Sequence, residues 1–232
     1  MKKQTLFGMV VSLAAVALLL GGCGGSYQAR SVDLKSSLVN PDLLEKGTGD
    51  QALYRYQNPK VNLADYSVIL IDPVIIRKDG ELSASELENY KTLANNFTVY
   101  MNQELSKYFT IVTASGPGTM RVQAAITDAD NSKPVRTILS FSPIGIGINL
   151  IKYTATGKQS AVGEITTELK VTDAQTGQLI GAALDRRVGG KRLSDAWDTW
   201  SNADEATKYW AKRLAYVLCM EKKLPGCVNP NE

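Results

Sequence analysis

The run Tyr66-Ser-Val-Ile-Leu-Ile-Asp-Pro-Val-Ile-Ile constrains the fold more than any other stretch of this chain. Its β-branched residues are too continuous for a strand with one solvated face, and they suit an interior strand buried on both sides. Pro73 has no N–H to donate to a ladder, so it marks a bend or the strand's end. A second period follows at once. Leu87, Tyr90, Ala94, Phe97, Met101, Leu105 and Tyr108 recur at steps of three and four. That stripe covers one face of a helix about 24 residues, or ~36 Å, long. Ser83 with Glu86, and Ser85 with Glu88, each offer a capping box for its first turn. The stripe reads as core packing rather than as a face that contacts a cofactor.

Phe109–Thr113 reads as a short strand and Ser115-Gly-Pro-Gly as a turn. Met120, Val122, Ala124 and Ile126 then alternate with mostly polar neighbours, giving a strand with one buried face. Ile165, Thr167, Leu169 and Val171 alternate with Glu164, Thr166, Glu168 and Lys170, and Ala174-Gln-Thr-Gly177 turns into a partner strand, Leu179–Arg187. A four-residue loop closed by Asp173 opposite Gln178 sets Val171 against Ile180, Leu169 against Ala182 and Thr167 against Leu184. On the other face it pairs Glu164 with Arg187 and Thr166 with Asp185. Trp197 and Trp200 lie in a segment too short to assign. Ala203–Lys222 reads as a closing helix that buries Ala206, Trp210, Leu214, Val217 and Leu218. The expected fold is a single α+β sandwich over residues 61–228: a mainly antiparallel sheet with the long helix and the C-terminal helix on one face.

Lys2 and Lys3 precede an uncharged stretch that ends in Leu20-Gly21-Gly22-Cys23, the layout of a secretory signal. A cysteine directly after small residues resembles a bacterial lipobox. That resemblance implies a signal peptide over residues 1–22, a lipid on Cys23 and, with Gly24 rather than Asp following, sorting to the outer membrane facing the periplasm. A permanent transmembrane helix over Leu6–Leu20 is the competing reading, at the short edge of a bilayer span. Processing leaves about 210 residues, enough for one domain with a sizeable core. Residues 23–60 mix Ser, Gly, Asn, Pro and charges without sustained period, and read as a flexible tether lifting the domain off the membrane.

The formal charge is +3, and Lys2 and Lys3 supply two of those charges. Near-neutrality of the remainder argues against nucleic acid as a partner. Cys219 and Cys227 read as a disulfide stapling the tail to the last helix. Zinc is the alternative, but it needs two further ligands in a chain with no histidine. The missing histidine also excludes Ser-His-Asp and Cys-His catalysis. Ser140, Ser142 and Lys152 match no recognised Ser-Lys spacing. Asp128, Asp130 and Asn131 fail as a calcium loop, because Lys133 stands at its glycine position and Leu139 at its final glutamate. Gly145-x-Gly147 lacks the frame of a phosphate loop.

Glu164, Glu168, Asp185, Arg186 and Arg187 are expected as solvated cross-strand ion pairs. Arg186, Arg187, Lys191 and Arg192, around Gly189-Gly190, form the densest basic patch, a candidate site for lipopolysaccharide, phospholipid or peptidoglycan carboxylates. Ile138–Tyr153 is apolar with a single charge at Lys152, and is a candidate oligomer contact.

The lipobox, the Val68-to-Ile75 strand with Asp72-Pro73, Asp173-x-x-Thr176-Gly177, the Ala-Ala-x-Asp-Arg-Arg segment Ala182–Arg187 and Trp210-Ala211 resemble an uncharacterised bacterial lipoprotein family, known as a domain of unknown function. The resemblance brings no reaction with it. The order of elements is also similar to small periplasmic α/β domains: the curli-secretion lipoprotein, the outer-membrane activator of a penicillin-binding protein, and the amino-terminal domain of TolB. Those domains act by binding proteins. The expectation is a lipid-anchored, non-enzymatic accessory protein without cofactor or metal, engaging an envelope protein partner or a second copy of itself. The alternatives are an anionic-ligand binder using Arg186–Arg192, and a histidine-independent hydrolase.

Overall fold

A computed structural model describes residues 27–34, 36–78, 82–128, 137–141, 164–188 and 199–231. Cys23 and its leader, Lys191, Arg192, Ser142, Lys152 and all of the 138–153 segment beyond Phe141 lie outside the described residues. Among the described residues there are ten strands and two α-helices. The strands are β1 (Tyr27–Gln28), β2 (Glu45–Lys46), β3 (Tyr54–Gln57), β4 (Val68–Ile71), β5 (Val74–Lys78), β6 (Thr110–Val112), β7 (Thr119–Asp128), β8 (Thr137–Phe141), β9 (Glu164–Asp173) and β10 (Leu179–Val188). The helices are α1 (Ala84–Leu105) and α2 (Thr199–Glu221).

One sheet runs β2-β3-β10-β9-β7-β4-β6, with β1 also on β10 and β5 between β7 and β8. β4 lies parallel to β6 and β7, and β5 parallel to β7; the other pairs are antiparallel. This is the α+β sandwich expected, with both helices packed on one face.

The apolar run from Tyr66 does form an interior strand, broken in two at Asp72-Pro73. Ile71 sits opposite Val122 and Ile75 opposite Ala125, so one extra residue bulges out where proline has no N–H to give. Asp72 compensates: its N–H donates to the Val122 carbonyl at 2.9 Å, and its carboxylate pairs with Arg121 Nε at 2.8 Å. α1 starts with Ser83 rather than Ser85 as its cap. The Glu86 N–H donates to Ser83 Oγ while the Ser83 N–H donates back to Glu86 Oε2. Its stripe buries Tyr90, Leu93, Phe97, Met101 and Leu105 almost completely.

α2 begins at Thr199, and so takes in Trp200, which meets Tyr90 edge-on with ring centres 4.8 Å apart. Below that contact Asp204 accepts hydrogen bonds from Asn96 Nδ2 at 2.9 Å and the Tyr100 hydroxyl at 2.6 Å. Burial and then the Asp204 bond push the Tyr100 hydroxyl far above its ordinary value, so it stays a donor. α1 and α2 therefore run side by side in the same direction. After α2 a disulfide joins Cys219 to Cys227 and holds the tail against the helix.

The β9–β10 turn closes as expected, with Gly177 at φ 73° and the Asp173 N–H donating to the Gln178 carbonyl. Asp173 accepts at one oxygen from the Gln175 and Thr176 N–H groups and from Thr176 Oγ1, and at the other from the Tyr66 hydroxyl. The Thr176 backbone bond foremost holds this carboxyl below its ordinary 3.8. Stability from the ionised form is thus complete above that value and lost as pH falls through the lower folded one. Asp173→Asn should flatten the acid limb of the stability curve, read as urea midpoints between about pH 5 and 2.

The register beyond the turn differs from expectation. A bulge at Ile180 puts Val171 opposite Gly181, Leu169 opposite Ala183 and Thr167 opposite Asp185. The extra residue moves every later β10 side chain to the opposite face.

Residues 27–60 also differ. Far from a flexible tether, they add β1 and β3 to β10 and β2 to β3, and they cover the sheet's second face. Leu44, Ala182 and Leu184 form a small second core there, packed by Val32, Val39, Tyr54 and Tyr56. No single period marks this segment because it crosses the sheet as short strands and turns.

Candidate functional site: a groove beside the closing helix and two buried carboxylates

The bulge sends Asp185 and Arg187 to the helix face, where both are buried, rather than to a solvated one. Asp185 Oδ1 accepts from Gln28 Nε2 at 2.7 Å and the Leu53 N–H at 3.2 Å, and Oδ2 from Trp210 Nε1 at 2.9 Å. One carboxylate thus joins β1, the start of β3, β10 and α2. The Arg187 guanidinium lies over the Tyr209 ring, 3.5 Å from its centre. Burial pushes this group down, and Tyr209 and Asp185 push back. Arg187 is therefore not part of a surface patch. Arg186 alternates to the opposite face, so the structure does not bring these two arginines together; Lys191 and Arg192 lie outside the described residues.

Glu168 is the second carboxylate, 3 % exposed on the other face of the sheet. It accepts from Ser36 Oγ at 2.8 Å, the Ser37 N–H at 2.8 Å, Ser37 Oγ at 2.9 Å and the Leu38 N–H at 3.1 Å. Arg77 lies 3.7 Å from it and also donates to Ser37 Oγ. Neither acid faces solvent in a cleft, so their chemistry is structural. The sequence offers one signal, a carboxylate inside each of two apolar strands, and its ordinary meaning is a solvated face.

The open feature is on the helix side. α2 covers β9 and β10, and β3 extends the sheet past it with no helix above among the described residues. A groove of about 450 Å³ results. Leu169, Val171, Ile180 and Leu214 line its floor, with Arg55, Arg213 and Glu221 at its edge. The edge is braced: Arg213 pairs with Asp50 at 2.8 Å, and Gln57 Nε2 donates to Glu221 at 2.6 Å. Val217 and Met220 on α2 also line the groove and are 38 % and 51 % exposed. A floor of aliphatic carbon offers burial and dispersion, not acid–base chemistry. Among the described residues no group of three His, Cys, Asp or Glu side chains could hold a metal ion. The apolar stripe of α2 marks Val217 as core, and the Tyr-Arg-Tyr-Gln alternation of β3 is only four residues long, so the sequence gives no clear pointer to the groove.

The family described as "Protein of unknown function (DUF3313)" matches residues 34–214 of this chain. No curated protein matches it. Among solved structures the chain is similar to the PelC dodecamer from Paraburkholderia phytofirmans, at 13% identity over 66% of this chain and 93% of that one, with a TM-score of 0.28. It is also similar to a DUF4136 family protein from Bacteroides thetaiotaomicron, at 12% identity over 75% of this chain and 98% of that one, with a TM-score of 0.32. At that distance neither assigns a role to any residue.

Proposed function

Because the chain belongs to the DUF3313 family, whose function is unknown, we propose its role from its own residues: a lipid-anchored, non-enzymatic accessory protein of the bacterial envelope that binds a protein partner through the α2–β3 groove. The leader ending at Gly22, just before Cys23, supports the anchor and, with Gly24 after the cysteine, an outer-membrane location facing the periplasm. The observation that carries the binding role is an apolar groove beside α2 with Val217 and Met220 exposed along it. An apolar side chain or short amphipathic segment of an envelope protein fits a floor of that chemistry. The braced edge keeps it open without a partner.

Two measurements test this. Cys23→Ser should abolish palmitate incorporation and release the protein from the membrane fraction. A photocrosslinker replacing Val217 should give one discrete envelope-protein adduct in intact cells, which Met220→Glu weakens and a crosslinker at Gln175 does not give. No adduct, or the same adducts from Gln175, would reject the groove.

A further inference from the structure

From the position of β1 we infer which end of this protein meets the bilayer: the sheet end at Tyr27 and Val188 is a lipid-contact surface, lying against the headgroup layer with Tyr27 and Arg30 as its contacts. The inference rests on lipidation of Cys23. Only Gly24, Gly25 and Ser26 separate that cysteine from β1. Four residues span at most about 14 Å even when fully extended.

β1 is not free to slide along the sheet. Tyr27 is paired with Val188 and Gln28 with Arg187, the Ala29 N–H donates to the Arg186 carbonyl at 2.8 Å, and Gln28 Nε2 reaches both Asp185 and the Gln51 carbonyl. Since β1 is antiparallel to β10, its first residue, Tyr27, stands at the Val188 end of β10. At that end β9 begins, β5 and β7 finish, and α1 and α2 start. The opposite end carries the Ala174–Gly177 turn and the disulfide-bonded tail. Ten residues of β10 separate the two ends, roughly 30 Å at the usual rise.

The chemistry of the near end suits headgroups. Tyr27 is a large side chain left 50 % exposed, and Arg30, three residues further in from that end, is exposed with a side chain long enough to reach back toward it. A tyrosine ring is favoured at the membrane–water boundary, and arginine pairs with lipid phosphate. This surface would hold the groove, which is lined by the turn-proximal half of β10 and the C-terminal half of α2, away from the lipid and open to the periplasm.

The test uses the full, lipidated chain in vesicles of phosphatidylethanolamine and phosphatidylglycerol. A bimane fluorophore is attached to Tyr27→Cys, Arg30→Cys or Gln175→Cys, Cys219 and Cys227 being oxidised and Cys23 acylated. A nitroxide quencher carried on the lipid headgroup should quench positions 27 and 30 severalfold more than position 175, and iodide in the water should show the reverse order. Arg30→Cys lies outside β1 and keeps the test valid if Tyr27→Cys disturbs the strand. Equal lipid quenching at 30 and 175 in protein that carries palmitate overturns the contact while leaving the anchor standing. Absence of palmitate overturns both.

Discussion

Asp185→Ala should lower the stability of the domain by about 4 kcal/mol, a drop of roughly 8–16 °C in Tm for a domain of this size. The side chain is 4 % exposed and accepts from Gln28, Leu53 and Trp210. Truncation leaves those three donors facing a cavity, and a buried donor without an acceptor costs about 1–3 kcal/mol. It also removes the negative charge that offsets burial of Arg187. Breaking one side of a buried charged arrangement is worse than never having built it. Asp185→Asn keeps the volume and one acceptor oxygen, so it should lose about half as much. Urea unfolding of the two variants, checked for an unchanged m value, gives both numbers. Residues 27–57 should also open to protease first, because Gln28 and the Leu53 N–H both depend on this carboxylate.

The long-range features legible in the sequence are those written in a single period. The β-branched run at Tyr66–Ile76 and the stripe from Leu87 to Leu105 specify the interior strand and α1, because Ile69, Val74 and Ile76 of the run and Tyr90, Phe97, Met101 and Leu105 of the stripe meet in one core. The cysteine pair eight residues apart specifies the staple. What is not legible depends on one inserted residue and on contacts far apart in sequence. The bulge at Ile180 leaves composition and alternation intact, yet it turns Asp185 and Arg187 inward. Residues 27–60 look irregular because their partners are β10 and Glu168, more than a hundred positions away. The groove arises from what α2 leaves uncovered, which no pattern within α2 records.

Glu168→Ala should release the second half of the same embrace, with a loss of about 3 kcal/mol. Its four donors come from Ser36, Ser37 and Leu38, a stretch with no strand ladder of its own. The carboxylate stands where a backbone partner would otherwise be needed. Without it the Ser37 and Leu38 N–H groups lose their partner and Arg77 loses a nearby counter-charge. Segment 36–39 should then lift, exposing Leu44 and Leu184 of the small second core. Hydrogen exchange should rise severalfold at residues 36–44 while α1 and α2 stay protected, since their core lies on the other face. Glu168→Gln retains the shape but offers one acceptor oxygen where two were used, and its amide N–H₂ faces other donors; it should fall between wild type and alanine. If alanine loosened α2 as much as the strap, the two faces would be one cooperative unit, and the strap would belong to the core rather than being clasped onto it.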